Sequence, residues 1–294
     1  MHSKTFYIIL GCGILFIALS ILVCSGLFNP YKGMNAEQYR RYNKKFLKRK
    51  PYYQNIEKNI FQTWRTKDIP DEFKYITEYL KLQNPEYNYY LYDDDDIDNF
   101  IKTYYPKYWT SYKMLAPEYG AARADFFRYM VIYHYGGVYL DIKSGASVPL
   151  RKIIKRNDEF VSSGWSFPFH PEKHINWSII AKKNHPLLRY VLDDIHNAIQ
   201  NYDVDSDGVG AMGVLKLTGP FRYSDVIEKY RAQFKIHYYP NITKSKLIYN
   251  YTFKQNADAL ACGIHEFTKG AIGGCNHSGS KKKYSELSIP IVNK

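Results

Sequence analysis

The stretch 121–148, AARADFFRYMVIYHYGGVYLDIKSGASV, carries Asp125 and Arg128 three residues apart, and Asp141 just beyond a Gly-Gly pair. A spacing of three puts two side chains on one face of a helix. Charges on an otherwise apolar helix are costly unless they pair or look into a polar cleft. An acid and a base on such a helix, with a second acid at the end of the next element, suit a site for a charged ligand. The plainer alternative is an intrahelical Asp125–Arg128 ion pair with Asp141 capping a loop.

Two elements must hold these groups. From 121 to 135 there is no Gly or Pro and nearly every position is apolar or aromatic, which predicts a buried helix. Gly136-Gly137 ends it, because glycine accepts the positive φ of a helix C-cap. The run 138–142 reads as a short apolar strand carrying Asp141 at its end, and ligands gather at the carboxyl ends of strands in open α/β sheets. In an extended strand residues i and i+2 point the same way, so Lys143 is expected on the same side as Asp141.

The segment resembles the sugar-binding region of glycosyltransferase family 32, which contains the DXD motif. Asp125, Arg128, Tyr129, Tyr135, Gly136, Gly137, Tyr139 and Asp141 stand in register with it, and Lys143 replaces the motif's second aspartate. That family includes fungal initiating mannosyltransferases and is distantly similar to the large glucosylating toxins. The resemblance implies an α/β, GT-A type Rossmann-like nucleotide-sugar-binding domain over 56–280. It implies a UDP- or GDP-sugar donor, a glycan, lipid or protein acceptor, retention of configuration, and Mn²⁺ or Mg²⁺.

The same resemblance nominates site residues. Asp125, Arg128 and Tyr129 would grip the donor sugar or ribose. Ile60-Phe61-Gln62-Thr63-Trp64 resembles the family's opening His-Gln-Thr-Trp strand, making Gln62, Thr63 and Trp64 candidates for base or ribose contact; read from the residues alone, Trp64 packs a core. Leu217-Thr218-Gly219-Pro220 resembles a family loop in which Gly219 lets backbone approach the donor, or is a plain turn and helix start. Asn276-His277-Ser278-Gly279-Ser280 resembles the closing segment over the donor diphosphate, with Ser280 a donor contact and His277 a third metal ligand or phosphate contact. The family's Trp is missing there, Lys281 follows Ser280, and an exposed tail histidine is the alternative.

Sugar transfer leaves a diphosphate whose new charge must be stabilised. Enzymes of this shape mostly use a divalent ion as Lewis acid and template, and carboxylate and phosphate oxygens suit Mn²⁺ or Mg²⁺. Two arrangements are open: Asp141 and His277 hold the metal while Lys143 touches the diphosphate, or Lys143 supplies part of the metal's charge itself. No separate nucleophilic carboxylate stands out, which leaves front-face displacement beside a covalent intermediate. Lys143 and the absent Trp also admit an inactive donor-binding protein of the same fold. A nucleotidyltransferase using the same acids is a third class.

The 294-residue chain has a formal charge of +13, which favours anionic surfaces or acidic ligands. No zinc-finger spacing or RNA-binding aromatic signature supports nucleic acid. The uncharged run 6–28 is long enough to span a bilayer and longer than the apolar core of a signal peptide. It predicts a single-pass anchor after a short tail (1–5) and before a basic stem (29–55), with a helix over 36–49. Lys32, Arg40, Arg41, Lys44, Lys45 and Lys48 follow the span while only Lys4 and His2 precede it, so flanking charge puts the larger part in the cytoplasm. The family resemblance implies instead a catalytic domain in a Golgi- or ER-type lumen. Cys262 and Cys275 could form a disulfide there, and sequons at Asn176, Asn241, Asn250 and Asn276 point weakly the same way.

Elsewhere the pattern predicts a helix over 70–83, a strand over 87–92 and, at Asp93–Asp96, a helix N-cap that mimics DXD. Val148-Pro149-Leu150 resembles a strand continuation, 159–169 a strand and loop, and 175–181 the family's later helical region. His185 is expected to start an amphipathic helix over 187–199 with Leu188, Val191, Leu192, Ile195 and Ile199 inward. An Asp/Gly-rich loop over 203–213 lacks the closing Glu of an EF-hand. A helix over 224–233 and a tail over 281–294 complete the expectation.

Overall fold

A computed structural model describes residues 41, 53–165, 173–249 and 284–293. The chain divides at Pro51 into two units, and every described residue except Arg41 belongs to the second. The expected membrane span at 6–28, nearly all of the stem, all four cysteines, His277, Ser280 and the sequons at Asn250 and Asn276 lie outside the described residues. Among the described residues no helix is long and apolar enough to cross a membrane.

The second unit is mixed α/β around a central sheet. Strand β1 (Asn59–Thr63) is followed by helix α1 (Asp71–Gln83), strand β2 (Asn88–Tyr92) and helices α2 (Asp94–Tyr104), α3 (Pro106–Met114) and α4 (Gly120–Tyr135). Then come β3 (Gly137–Leu140), β4 (Gly145–Ala146), a short α5 (Leu150–Ile153), β5 (Phe160–Ser163), β6 (Ser178–Ala181) and α6 (Pro186–Gln200). The run to 249 continues with α7 (Val204–Asp207), α8 (Gly210–Leu217), α9 (Pro220–Tyr230), β7 (His237–Tyr239), α10 (Ile242–Ser245) and β8 (Leu247–Ile248). The main sheet runs β2-β1-β3-β6-β5-β7. β1 is parallel to both β2 and β3, β6 is antiparallel to β3 and β5, and β7 is parallel to β5.

Successive strand residues face opposite sides, and the core splits accordingly. Phe61, Tyr139, Ile179 and Ala181 join the cluster under α4, with Phe126, Phe127, Tyr129 and Met130. Ile60, Val138, Leu140 and Ile180 face the other cluster with Leu150, Ile153, Ile154 and Trp177. Helix α4 is buried along most of its length, as its all-round apolar sequence predicts. Asp93 caps α2 through a full capping box with Asp96, and the Asp96 carboxylate also pairs with Lys67; this acidic run is a helix start.

Several expectations change. The 175–181 stretch is a strand at Ser178–Ala181, because Ile179 and Ile180 must cover the two opposite faces of a sheet, which β-branched residues do well. Val148-Pro149-Leu150 does not continue a strand: Pro149 sits at the N-cap and Leu150 opens α5. The 203–213 loop holds α7 and the start of α8, and the helix expected over 224–233 begins earlier, with proline in its first turn. The C-terminal stretch is no free tail, since Ile291 and Val292 are buried in the core and Val292 bridges Leu115.

Candidate active site

Gly136 caps α4 with φ +67° and Gly137 opens β3 with φ +118°, both conformations that side chains with a Cβ avoid. A Cβ on Gly137 would stand 2.5 Å from the Asn59 carbonyl oxygen, so β3 reaches its place beside β1 only with glycine there. β3 stops at Leu140, and Ser144 N–H donates to the Asp141 carbonyl at 2.8 Å. Asp141 therefore lies at the first corner of a turn, past the carboxyl end of the strand. Lys143 stands in this turn rather than in an extended strand, and its ammonium lies 4.6 Å from the Tyr249 ring centroid.

Arg128 and Asp141 come together, with Asp125 behind them. Arg128 Nη1 is 2.7 Å from Asp125 Oδ1 and Nη2 is 2.9 Å from Asp141 Oδ1. Nη1 also donates to the Asn176 carbonyl at 3.0 Å, and the guanidinium lies over the Tyr139 ring at 4.9 Å. Tyr139 donates its hydroxyl to Asp141 Oδ1 at 3.1 Å and meets Thr63 Oγ1 at 3.1 Å. Asp125 takes Asn176 Nδ2 at 3.0 Å and the Thr218 hydroxyl at 3.1 Å. The side chains of Arg128 and Asp125 are 6 % and 8 % exposed, against 21 % for Asp141, so the cluster meets solvent chiefly through Asp141.

Burial pushes the Asp125 carboxyl up to about 6, against the pull of Arg128, Thr218 and Asn176 and with a further push from Asp141. Burial opposes the Arg128 charge, but the two carboxylates outweigh it and hold the guanidinium protonated. With both acids ionised, two carboxylates face one guanidinium. Such a centre accepts hydrogen bonds from hydroxyls well and by itself repels a diphosphate.

Of the remaining predicted contacts Gln62, Tyr129 and Gly219 are buried and Trp64 is half-buried. Gln62 is fully buried, giving Nε2 to the Asp141 carbonyl at 3.1 Å and taking the Tyr89 hydroxyl at 2.9 Å; it supports the turn. Trp64 packs edge-on against Phe73, ring centroids 5.2 Å apart, beside Ile69, Ile76 and Ile142. The Tyr129 hydroxyl donates to the Thr218 carbonyl at 3.2 Å and takes Asn176 Nδ2 at 3.1 Å, a buried brace for the Asp125 cage. A Cβ on Gly219 would sit 2.8 Å from the Leu215 Cα, so its smallness serves the packing of α9 on α8. His185 caps α6, its Nδ1 accepting from Leu187 N–H at 3.3 Å, and burial lowers its pKa to about 4.

Asn176 and Thr218 belong to this cluster through their bonds to Asp125, and the sequence reading did not single them out as site groups. Asn176 sits in a sequon, yet it is buried and occupied. Its only local signal was a polar residue heading an apolar strand; Thr218 had none beyond the Thr-Gly-Pro turn.

The described donor set does not make a divalent-cation site. Asp141 Oδ1 already holds a guanidinium and a phenol, Lys143 stands for the second motif carboxylate, and Arg128 Nε is a buried donor without a hydrogen-bond partner. Among the described residues no three His, Cys, Asp or Glu group together as metal ligands.

Residues 70–160 match the family described as "Glycosyltransferase sugar-binding region containing DXD motif". Inositol phosphoceramide mannosyltransferase 2 of Schizosaccharomyces pombe is 28 % identical over 178 residues, 60 % of this chain and 48 % of that protein. Inositol phosphoceramide mannosyltransferase 3 of the same yeast is 30 % identical over 176 residues, 60 % of this chain and 46 % of that protein. The initiation-specific alpha-1,6-mannosyltransferase of Candida albicans is 28 % identical over 207 residues, 59 % of this chain and 52 % of that protein. The chain thus spans about half the length of the curated relatives it matches. The motif from Asp125 to Asp141 lies inside the matched region, so this part of the chain is similar to that sugar-binding region, with Lys143 two residues after Asp141.

Proposed function

We propose that this protein transfers a sugar from a UDP- or GDP-sugar donor to a glycan, lipid or protein acceptor, with retention of configuration. The observation that carries the reading is the Asp125–Arg128–Asp141 centre, closed behind and open at Asp141, set past the carboxyl end of a strand in the parallel β2-β1-β3 half of the sheet. Position and topology support a GT-A type, Rossmann-like arrangement. In this reading the carboxylates accept sugar hydroxyls, Arg128 keeps both acids ionised and aimed, and Tyr139 and Thr63 fix Asp141. Gln62, Trp64, Tyr129 and Gly219 act behind the site, holding its walls, and Ser280 and His277 remain candidates for the donor diphosphate.

A diphosphate beside two carboxylates needs added positive charge. Lys143, on the turn that follows Asp141, would supply it by leaving the Tyr249 ring. A Mn²⁺ or Mg²⁺ ion, the family's usual helper, would supply Lewis acidity, with Asp141 and His277 its candidate ligands; the residues described do not favour it. The relatives' names put mannosyl donors first and an inositol-phosphate-bearing ceramide among the acceptors. The basic flank and the 6–28 run support an enzyme anchored at a membrane, lumenal by resemblance and cytoplasmic by flanking charge.

The test is release of UDP or GDP from a panel of nucleotide sugars, GDP-mannose included, by the full chain and its Asp141→Ala variant. Release is expected from at least one donor, falling by about a hundredfold or more in the variant, as for loss of a group made for the transition state. Full release in excess chelator would assign the cation's work to Lys143. Binding of a donor without release from any of them would favour an inactive donor-binding protein, the reading that Lys143 supports. Pyrophosphate released from a nucleoside triphosphate would mark a nucleotidyltransferase instead.

A further inference from the structure

The segment Lys173 to Trp177 leads into β6 and supports all three charged groups of the site. The Asn176 side chain holds Asp125 and its carbonyl holds Arg128, while the Trp177 carbonyl takes the Asp141 N–H at 2.9 Å. Before Ser178 this segment has no strand of its own to fix it. Main-chain bonds from Ile175 N–H to the Ser163 carbonyl and from Trp165 N–H to the Lys173 carbonyl pair it with the end of β5, and the side chain of His174, 2 % exposed, ties it further to β5 and to α9.

His174 Nδ1 lies 2.8 Å from Ser162 Oγ and Nε2 lies 2.9 Å from Glu228 Oε1. A carboxylate only accepts, so Nε2 carries the proton and Nδ1 takes the Ser162 hydroxyl. The His174 main-chain N–H donates to Ser224 Oγ at 2.7 Å, and that hydroxyl donates to the Pro220 carbonyl at 2.6 Å in the first turn of α9. Thr218, two residues before Pro220, is the other neutral donor to Asp125. Both neutral supports of Asp125 therefore leave from backbone joined at residue 174: Asn176 lies two residues on, and α9, which follows Thr218, is held by the main-chain N–H of 174 through Ser224 and by the imidazole through Glu228.

Ser162, His174 and Glu228 have the composition of a nucleophilic triad. Ser162 and His174 are nevertheless both buried, and Tyr238 packs on the imidazole with ring centroids 5.2 Å apart. No substrate carbonyl reaches that serine in this packing, so the array is a brace.

We propose that His174, set by Ser162, Glu228 and Ser224, is a positioning residue for the sugar-gripping centre, holding Asn176 and Thr218 on Asp125 and so aiming Arg128 and Asp141 at the donor. The proposal rests on reading that centre as the donor-sugar site. Neither His174 nor its partners touches the donor; the effect passes through Asn176 and Thr218. Misplacing reacting groups by about 1 Å costs on the order of a hundredfold in rate.

The test uses the full chain with His174→Ala, Glu228→Leu and Glu228→Gln. Gln keeps an oxygen that accepts from Nε2, and Leu does not. Donor turnover is expected to fall about ten- to a hundredfold in His174→Ala and Glu228→Leu and to stay within about threefold in Glu228→Gln. Affinity for free UDP or GDP, which lacks the transferred sugar, is expected to change by no more than about threefold in all three, and this separates positioning from general loss of structure. A crystal structure of His174→Ala is expected to show Asn176 Nδ2 withdrawn from Asp125. Turnover within about twofold of the parent in both His174→Ala and Glu228→Leu would overturn the proposal. So would nucleoside-diphosphate affinity lost in step with turnover, Gln no better than Leu, or an intact Asn176–Asp125 bond in the variant structure. A parent chain that releases no nucleoside diphosphate sinks the functional reading alone, because the crystal structure still decides the placement.

Discussion

Asp125 is the residue whose charge the surroundings find hardest to keep. Its carboxyl stands near 6 because burial outweighs Arg128 and two neutral donors. If the ionised form grips the donor, turnover falls as pH drops through about 6. Asp125→Asn is expected to be slow and flat across that range; a parent profile with no acid limb near 6 would refute the assignment. Stability runs the other way. The folded pKa lies above the unfolded value of about 3.9, so this group's contribution is fully present below that value and is lost as pH rises through the folded pKa. Urea midpoints of the parent and Asp125→Asn against pH should differ by that slope. The Asp125–Arg128 pair was legible from spacing alone. That Gln62 and Tyr129 turn inward was not, since a polar residue on a strand or helix looks the same whether its partner is a ligand or a distant backbone carbonyl.

The helix–Gly-Gly–strand unit is the element that delivers Asp141, and its outline could be read locally: an unbroken apolar run, two glycines, a short β-branched and aromatic run. The end of the strand could not. Ile142 prolongs the apolar pattern, yet the chain turns at Asp141 and takes Lys143 to Tyr249, a contact spanning about a hundred residues in sequence that no local window contains. Gly137→Ala tests the unit. At φ +118° with the Asn59 carbonyl 2.5 Å away, an added methyl is expected to destabilise by about 1–3 kcal/mol, read from denaturant midpoints, and to lower donor turnover through Asp141. A variant as stable as the parent would mean β3 can shift away from β1. For 175–181 the family likeness suggested helix and alternating burial decided strand.

At the scale of the whole domain, the C-terminal stretch closes the core. Tyr119 donates its hydroxyl to the Ile289 carbonyl at 2.8 Å, Ala116 N–H donates to the Ile291 carbonyl at 2.8 Å, and Ile291 is fully buried. Tyr284 is 37 % exposed, and desolvation first, then Tyr249 and the Asp125 and Asp141 carboxylates, raise the pKa of its phenol. Ile291→Ala is expected to cost about 2–4 kcal/mol by leaving a cavity, measured by urea unfolding. A loss below about 1 kcal/mol, the range of surface changes, would show the stretch to be dispensable.

The chain by itself determined the buried helix, the glycine break and the three charged residues of the centre, because these are written in local spacing and periodicity, while the class of fold was what the family resemblance implied. Only tertiary structure decided which polar groups serve the site and which serve the packing. Asn176, Thr218 and His174 are far from Asp125 in sequence, and their roles exist only once β6, α8 and α9 bring their hydrogen bonds onto one carboxylate and one connecting segment.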